Sequence, residues 1–228
     1  GAESVMLCYW NTYSYGRPGD RAFDVEDIDP HVCTHLIWHT ALLDNVTWEV
    51  QIRDPDHALC DAGGSCGFQR CVNLKQENPD LKMLLAVSSG ESDSPYWSTM
   101  AMSPEKRKTF ATSCVELLKE HKFDGLDIDW EYPNQRGGLP EDKGNFVFLL
   151  SDLREALHPE SLILTTAVGN GGWLDSSYDH AGIAEQVDFV NLMTYDIHGP
   201  WQDYTHYNSP LYSYPELDAL HGNGNSSM

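Results

Sequence analysis

Asp127, Asp129 and Glu131 stand two residues apart, and Leu126, Ile128 and Trp130 fill the places around them. Successive side chains on a β-strand point to opposite faces. The spacing therefore predicts carboxylates on one face and apolar groups on the other. Like charges aligned on one strand face repel, so a strand that only packs rarely carries them. A solvated acidic edge strand is the competing reading, but Phe123, Leu126, Ile128 and Trp130 would leave such an edge strongly apolar. A buried strand whose carboxylate face lines a site fits better. The alternation alone names no reaction.

The elements that must position this strand alternate along the chain. Residues 5–10, 36–40, 82–87, 123–131, 162–168 and 188–195 read as strands, the third nearly all apolar, as a strand covered on both faces should be. Helical patterns fall between them. One is expected over 68–77, ended by Asn78-Pro79. Another opens at Ser103-Pro104, with Phe110, Cys114, Leu117 and Leu118 recurring along one face. A third starts at Asp142 and buries Phe146, Leu149, Leu150, Leu153 and Leu157, and a weak one spans 177–186 after a loop at 169–172. Strands alternating with helices imply parallel β-α units and an α/β fold. Residues 1–212 read as one unit, and 213–228, ending Gly-Asn-Gly-Asn-Ser-Ser-Met, as a flexible tail.

The formal net charge is −21, from 35 acidic and 14 basic residues. With no basic stripe to neutralise phosphates, neither nucleic acid nor an anionic membrane is an expected partner. No apolar run approaches the ~20 residues that span a bilayer. Aromatics make up 11% of the chain and could offer flat platforms to sugar rings. Six cysteines occur without a Cys-x-x-Cys pair, which disfavours redox motifs and zinc ribbons. His31-Val-Cys-Thr-His35 lacks a partnering ligand set, so no metal is expected. Disulfides fit better. Cys8, Cys33, Cys60 and Cys66 are candidates, the last two flanking a short Gly-rich loop that a bridge could close, while Cys114 reads as a core thiol. The sequons at Asn45 and Asn225 suit a secreted glycoprotein, and the Gly-Ala-Glu-Ser start reads as a mature or trimmed form.

Asp124-x-x-Asp127-x-Asp129-x-Glu131, within Phe123-Asp-Gly-Leu-Asp-Ile-Asp-Trp-Glu-Tyr-Pro133, resembles the signature of family 18 glycoside hydrolases, the chitinases and chitinase-like lectins. Cys8-Tyr9, Thr34-His-Leu-Ile37, Asn78-Pro-Asp-Leu-Lys82, Met193-Thr-Tyr-Asp196, His198-Gly-Pro-Trp201 and Asn208-Ser-Pro-Leu-Tyr212 agree in order. The 60–71 segment looks most like arthropod members. The resemblance implies a (β/α)8 TIM barrel with its site at the carboxyl ends of the strands. About six βα units are visible where the barrel has eight, so the chain reads as a truncated, marginally stable barrel with exposed apolar strand edges.

The implied activity is retaining, substrate-assisted hydrolysis of chitin by an endo-acting chitinase. By that resemblance Glu131 is the general acid, Asp129 orients the substrate's acetamido group, and Asp127 shares a proton with Asp129. Tyr195 would donate to the acetamido carbonyl, with Met193 and Asp196 shaping the floor. Trp201, Tyr132 and Tyr9 match cleft-lining positions, and Tyr13 falls where a cleft tryptophan is usual. Chitin or chitooligosaccharide is the expected partner, with no cofactor and a monomeric state. Asp124 reads as structural, and His39, His198 and His206 as satisfied polar residues.

The chain also departs from the family. Ala86-Val-Ser-Ser-Gly90 stands where Ser-x-Gly-Gly-Trp or a close variant is usual, which puts serines in place of glycines and removes a stacking platform. Trp38-His-Thr40 stands where small and aromatic residues are usual. Crowding by Ser88 and Ser89 and weaker substrate affinity are the expected consequences. An oligosaccharide-binding lectin or growth-factor-like protein without hydrolytic activity is the alternative, though Glu131, commonly lost in lectins, is present.

Overall fold

Gly125 shows why the central strands can lie so close: a Cβ there would sit 2.4 Å from the Ile163 carbonyl oxygen, so only glycine admits the neighbouring strand. The structure is a computed structural model that describes residues 4–171, 174, 176–214 and 216. Gly172, Asn225 and most of the expected 213–228 tail lie outside the described residues.

Six parallel strands carry the fold: β1 (Leu7–Asn11), β2 (His35–Leu43), β4 (Lys82–Ser88), β5 (Gly125–Asp129), β6 (Ile163–Gly169) and β7 (Phe189–Met193), paired in the order β1-β2-β4-β5-β6-β7. A two-residue strand, β3 (Val50–Gln51), turns back antiparallel on the end of β2. The sheet curls until its two ends meet across the inside. Asn191 on β7 donates to the Tyr9 hydroxyl on β1 at 2.9 Å, and the His35 ring lies edge-on to Phe189 at 5.6 Å. The strands thus form an arc of a (β/α)8 barrel with helices on its convex face.

Strand alternation divides the residues between two environments. Leu36, Trp38, Met83, Leu85, Val87, Leu126, Ile128 and Trp130 belong to the main core between sheet and helices. Ile37, Leu84 and Ala86 form a smaller apolar cluster of their own. Truncating a fully buried residue such as Ile128 to alanine should cost about 2–5 kcal/mol, because the packed helices cannot collapse into the space.

The helices are α1 (Pro55–Ala58), α2 (Gly67–Asn73), α3 (Ser94–Met102), α4 (Pro104–His121), α5 (Asp142–Leu157) and α6 (His180–Ala184). In α4 the Ser103 hydroxyl accepts from Lys106 N, and Phe110, Ala111, Cys114 and Leu118 are buried. Leu117, expected with them, is only partly buried. The buried face of α5 is the expected one. The 68–77 helix is shorter than expected, passing at Leu74 into a tighter turn, and the 177–186 segment yields only α6. No helix is expected from the sequence where α3 lies. Its buried face mixes Trp97, Met100 and Ala101 with Ser94 and Ser98, so the apolar period is blurred.

Cys8–Cys33 and Cys60–Cys66 are disulfides, which takes Cys33 out of reach of any metal, while Cys71 and Cys114 are free and buried. On β7, Val190 and Leu192 are exposed, in keeping with the expected apolar edge.

Candidate active site

The carboxylates rise from the barrel floor towards its mouth. Asp127 is fully buried, the Asp129 side chain is 7% exposed and that of Glu131 29%. Alternation on β5 aims the two aspartates inward. Glu131 lies just past the strand, on the segment leading into α5.

Asp127 is held by three polar groups. Thr165 on β6 donates to Oδ1 at 2.5 Å, Asn191 to the same atom at 3.1 Å, and the Tyr9 hydroxyl to Oδ2 at 2.9 Å. Burial nevertheless dominates and, with the neighbouring Asp129 charge, pushes the Asp127 carboxyl up to about 6. Burial and the Asp127 charge likewise raise the Tyr9 phenol.

Asp129 has a separate set of partners. Ser88 Oγ donates to its Oδ2 at 3.0 Å, and His39 Nε2 stands 3.5 Å from the same atom. Its Oδ1 is buried and has no hydrogen-bond partner among the described residues. No hydrogen bond joins Asp127 to Asp129 among the described residues.

Burial and the Asp129 charge raise the Glu131 carboxyl. Working against them, Tyr132 hydrogen-bonds it and Arg136 Nη1 lies 3.4 Å from Oε2. A carboxyl raised by burial stays protonated nearer neutral pH, which suits a proton donor.

The backbone around Glu131 is pinned from several sides. Ser89 Oγ accepts from Glu131 N at 2.7 Å, and Trp130 Nε1 donates to Ser94 Oγ at 3.1 Å. Asp142, at the start of α5, accepts from Leu139 N at 2.7 Å and Ser98 Oγ at 2.6 Å, tying the following loop to α3 and α5. Asp124 is structural, as expected: its Oδ2 accepts from Met83 N at 2.7 Å and pairs with Lys75.

The serines in place of glycines do not merely crowd the interior. They bring hydroxyls to Asp129 Oδ2 and to the Glu131 backbone, a role that the expectation of crowding did not include. His39 is likewise drawn into the carboxylate cluster. His198 and His206 stack at 3.9 Å, and each keeps a buried Nε2 without a hydrogen-bond partner among the described residues.

Met193 is buried at the end of β7, in register with Gly169. Tyr195 is half exposed; partial burial and the charges of Asp129 and Glu131 raise its phenol to about 12. Asp196 takes a left-handed backbone (φ 54°) that Asn208 clasps, donating to Asp196 Oδ1 at 2.9 Å and accepting from Asp196 N at 3.3 Å. Tyr132 lies under the Arg136 guanidinium, 4.8 Å from the ring centre. Trp201 is exposed on the loop beyond β7, and Tyr13 is exposed beneath Arg53. No described contact ties Trp201 or Tyr13 to the carboxylates.

Thr165, Asn191, Ser88, Ser89 and Arg136 also touch the carboxylates, and the sequence reading gave none of them a place there. Polar residues at inward positions of otherwise apolar strands were the available signal for Thr165 and Asn191. Arg136 sits in a loop and carried none. Among the described residues, no group of His, Cys, Asp or Glu side chains could hold a metal ion.

The family model described as "Glycosyl hydrolases family 18" matches residues 5–228. Probable chitinase 2 of Drosophila melanogaster is 36% identical over 210 residues, which is 92% of this chain and 43% of the fly protein. The structure of the Ostrinia furnacalis group IV chitinase in complex with allosamidin superposes with a TM-score of 0.88 at 35% identity, covering 99% of this chain and 61% of that one. Human YKL-39, described as a pseudo-chitinase with retained chitooligosaccharide binding properties, superposes with a TM-score of 0.79 at 32% identity, covering 92% of this chain and 57% of that one. This chain thus spans less than half of the fly protein's length. On the family match and on these likenesses, the chain belongs to glycosyl hydrolase family 18.

Proposed function

We propose that this chain carries the proton-donating and orienting half of a chitinase site, which cleaves β-1,4-linked N-acetylglucosamine polymers with retention and with help from the substrate. The observation that carries the reading is the buried, unpartnered Oδ1 of Asp129, an acceptor beside a raised Glu131. A buried acceptor without a donor is costly, and an acetamido N–H would satisfy it.

In the proposed reaction Glu131 gives its proton to the glycosidic oxygen as the bond to the anomeric carbon breaks. The acetamido carbonyl oxygen forms the new bond to that carbon, and Asp129 holds the N–H and balances the oxazolinium charge. Water then opens the ring and returns a proton to Glu131. Tyr195 donates to the acetamido carbonyl, while Met193 and Asp196 shape the floor. Tyr9, Tyr132, Trp201 and Tyr13 offer aromatic faces along the cleft. The protein acts as a secreted monomer, with Asn45 in an exposed turn open to glycosylation.

Binding without hydrolysis is the second reading, favoured by Arg136, whose charge beside Glu131 Oε2 favours the ionised form. Release of a fluorophore from a labelled chitobioside separates the two. Hydrolysis by this chain, lost by at least a hundredfold in Glu131→Gln with oligosaccharide binding kept, supports the enzyme reading. Equal turnover in that variant refutes Glu131 as the acid, and binding without turnover in both forms leaves the lectin reading.

A further inference from the structure

His39 and Ser88 belong to no part of the proposed reaction, yet they converge on the carboxylate that should orient the substrate. Ser88 Oγ lies 3.0 Å from Asp129 Oδ2 and 3.0 Å from His39 Nε2. A serine hydroxyl has one hydrogen, and an ionised carboxylate only accepts. The Ser88 hydrogen therefore goes to Asp129, and the imidazole must donate from Nε2 to Ser88 Oγ. Thr40 braces the pair: its Oγ1 lies 3.0 Å from Ser88 Oγ and accepts from Ser88 N at 3.0 Å. From the other side Ser89 N holds the Asp129 backbone carbonyl at 2.9 Å. Ser88 is 6% exposed, so its bond to Asp129 competes little with water.

We propose that His39 and Ser88 are positioning residues that form a relay, His39 Nε2–H to Ser88 Oγ–H to Asp129 Oδ2. The relay holds Oδ2 of Asp129 and thereby fixes the orientation of the carboxylate. Only Oδ1 is then left to take an N–H from a ligand. The relay rests on the reading of Asp129 as the orienting group, and it explains why polar side chains occupy two inward positions next to a buried charge. Orientation of a participating group matters most in the transition state, so loss of the clamp should lower kcat more than it changes KM.

The test uses the full chain with Ser88→Ala, His39→Ala and His39→Gln. Two readouts need no turnover: the Asp129 side-chain orientation in crystals of Ser88→Ala, and the ¹⁵N signals of the His39 ring in the unmodified protein. The expected results are a rotated Asp129 in Ser88→Ala and a proton on His39 Nε2. In addition, kcat should fall about tenfold in His39→Ala with KM changed less than twofold, and His39→Gln, which keeps an N–H donor, should recover much of the loss. An unmoved Asp129 in Ser88→Ala, or a His39 protonated on Nδ1 alone, overturns the relay. If no form of the chain cleaves chitobioside, the proposed hydrolysis falls, and the crystal and ¹⁵N results still decide the clamp.

Discussion

Thr165→Val removes a single hydroxyl from the floor of the site and leaves a side chain of nearly the same shape. Thr165 and Asp127 are both fully buried, and their hydrogen bond is the largest contribution opposing the burial of the Asp127 charge. A hydrogen bond to a charged group contributes about 1.5–3 kcal/mol, which corresponds to roughly one to two pH units in the titration of its acceptor. In the folded chain Asp127 holds its proton up to about 6, against an ordinary 3.8. Between those values the folded state binds more protons than the unfolded state, so this group's contribution to stability falls as pH rises through that window. Above about 6 the full cost of the buried charge is present. The hydroxyl therefore matters most where Asp127 is ionised. Urea unfolding of Thr165→Val should show a loss of about 1.5–3 kcal/mol at pH 8. At pH 5 the loss should be about 1 kcal/mol or less, since the carboxyl is mostly neutral and a neutral bond is weaker. Equal losses at the two pH values, or a larger loss at pH 5, would refute the assignment of a buried charge to Asp127.

Replacing Arg136 with alanine takes away a cation that lowers the Glu131 carboxyl, so the alkaline limb of kcat/KM should move to higher pH; an unmoved limb argues against Glu131 as the titrating acid. Cys71 and Cys114 are buried and their thiols are raised by burial, so a thiol reagent should find them only after unfolding. Removal of Cys8–Cys33, which closes a separation of 25 residues, should cost about 3.5 kcal/mol, and removal of Cys60–Cys66, with a separation of 6, about 2.4 kcal/mol, by loop entropy in the unfolded chain. A larger loss from opening the shorter loop would show that native-state contacts decide. The exposed Val190 and Leu192 leave the last paired strand poorly covered, so the 228-residue chain by itself should melt at a modest temperature. A sharp transition above ~65 °C would contradict that expectation.

Periodicity and local chemistry made most of the architecture readable. Two-residue alternation in 125–131 separates carboxylates from core, and the recurrence of Phe110, Cys114 and Leu118 marks the buried face of α4. Both signals are properties of consecutive residues, so the sequence by itself determined them, along with the motif that carries the family resemblance. It did not determine α3, whose buried serines break the apolar rhythm and take hydrogen bonds from or to Trp130, Tyr132 and Asp142 elsewhere in the chain. Nor could it say what Ser88, His39, Thr165 and Asn191 do. They lie on four strands, and their meaning comes from curling the sheet until those strands face one inner space. Asn191 and Tyr9 are 182 positions apart and share a hydrogen bond. Burial is the other decision left to the tertiary structure: the three carboxylates are chemically similar along the chain, and depth in the barrel alone buries Asp127 and opens Glu131 to the mouth.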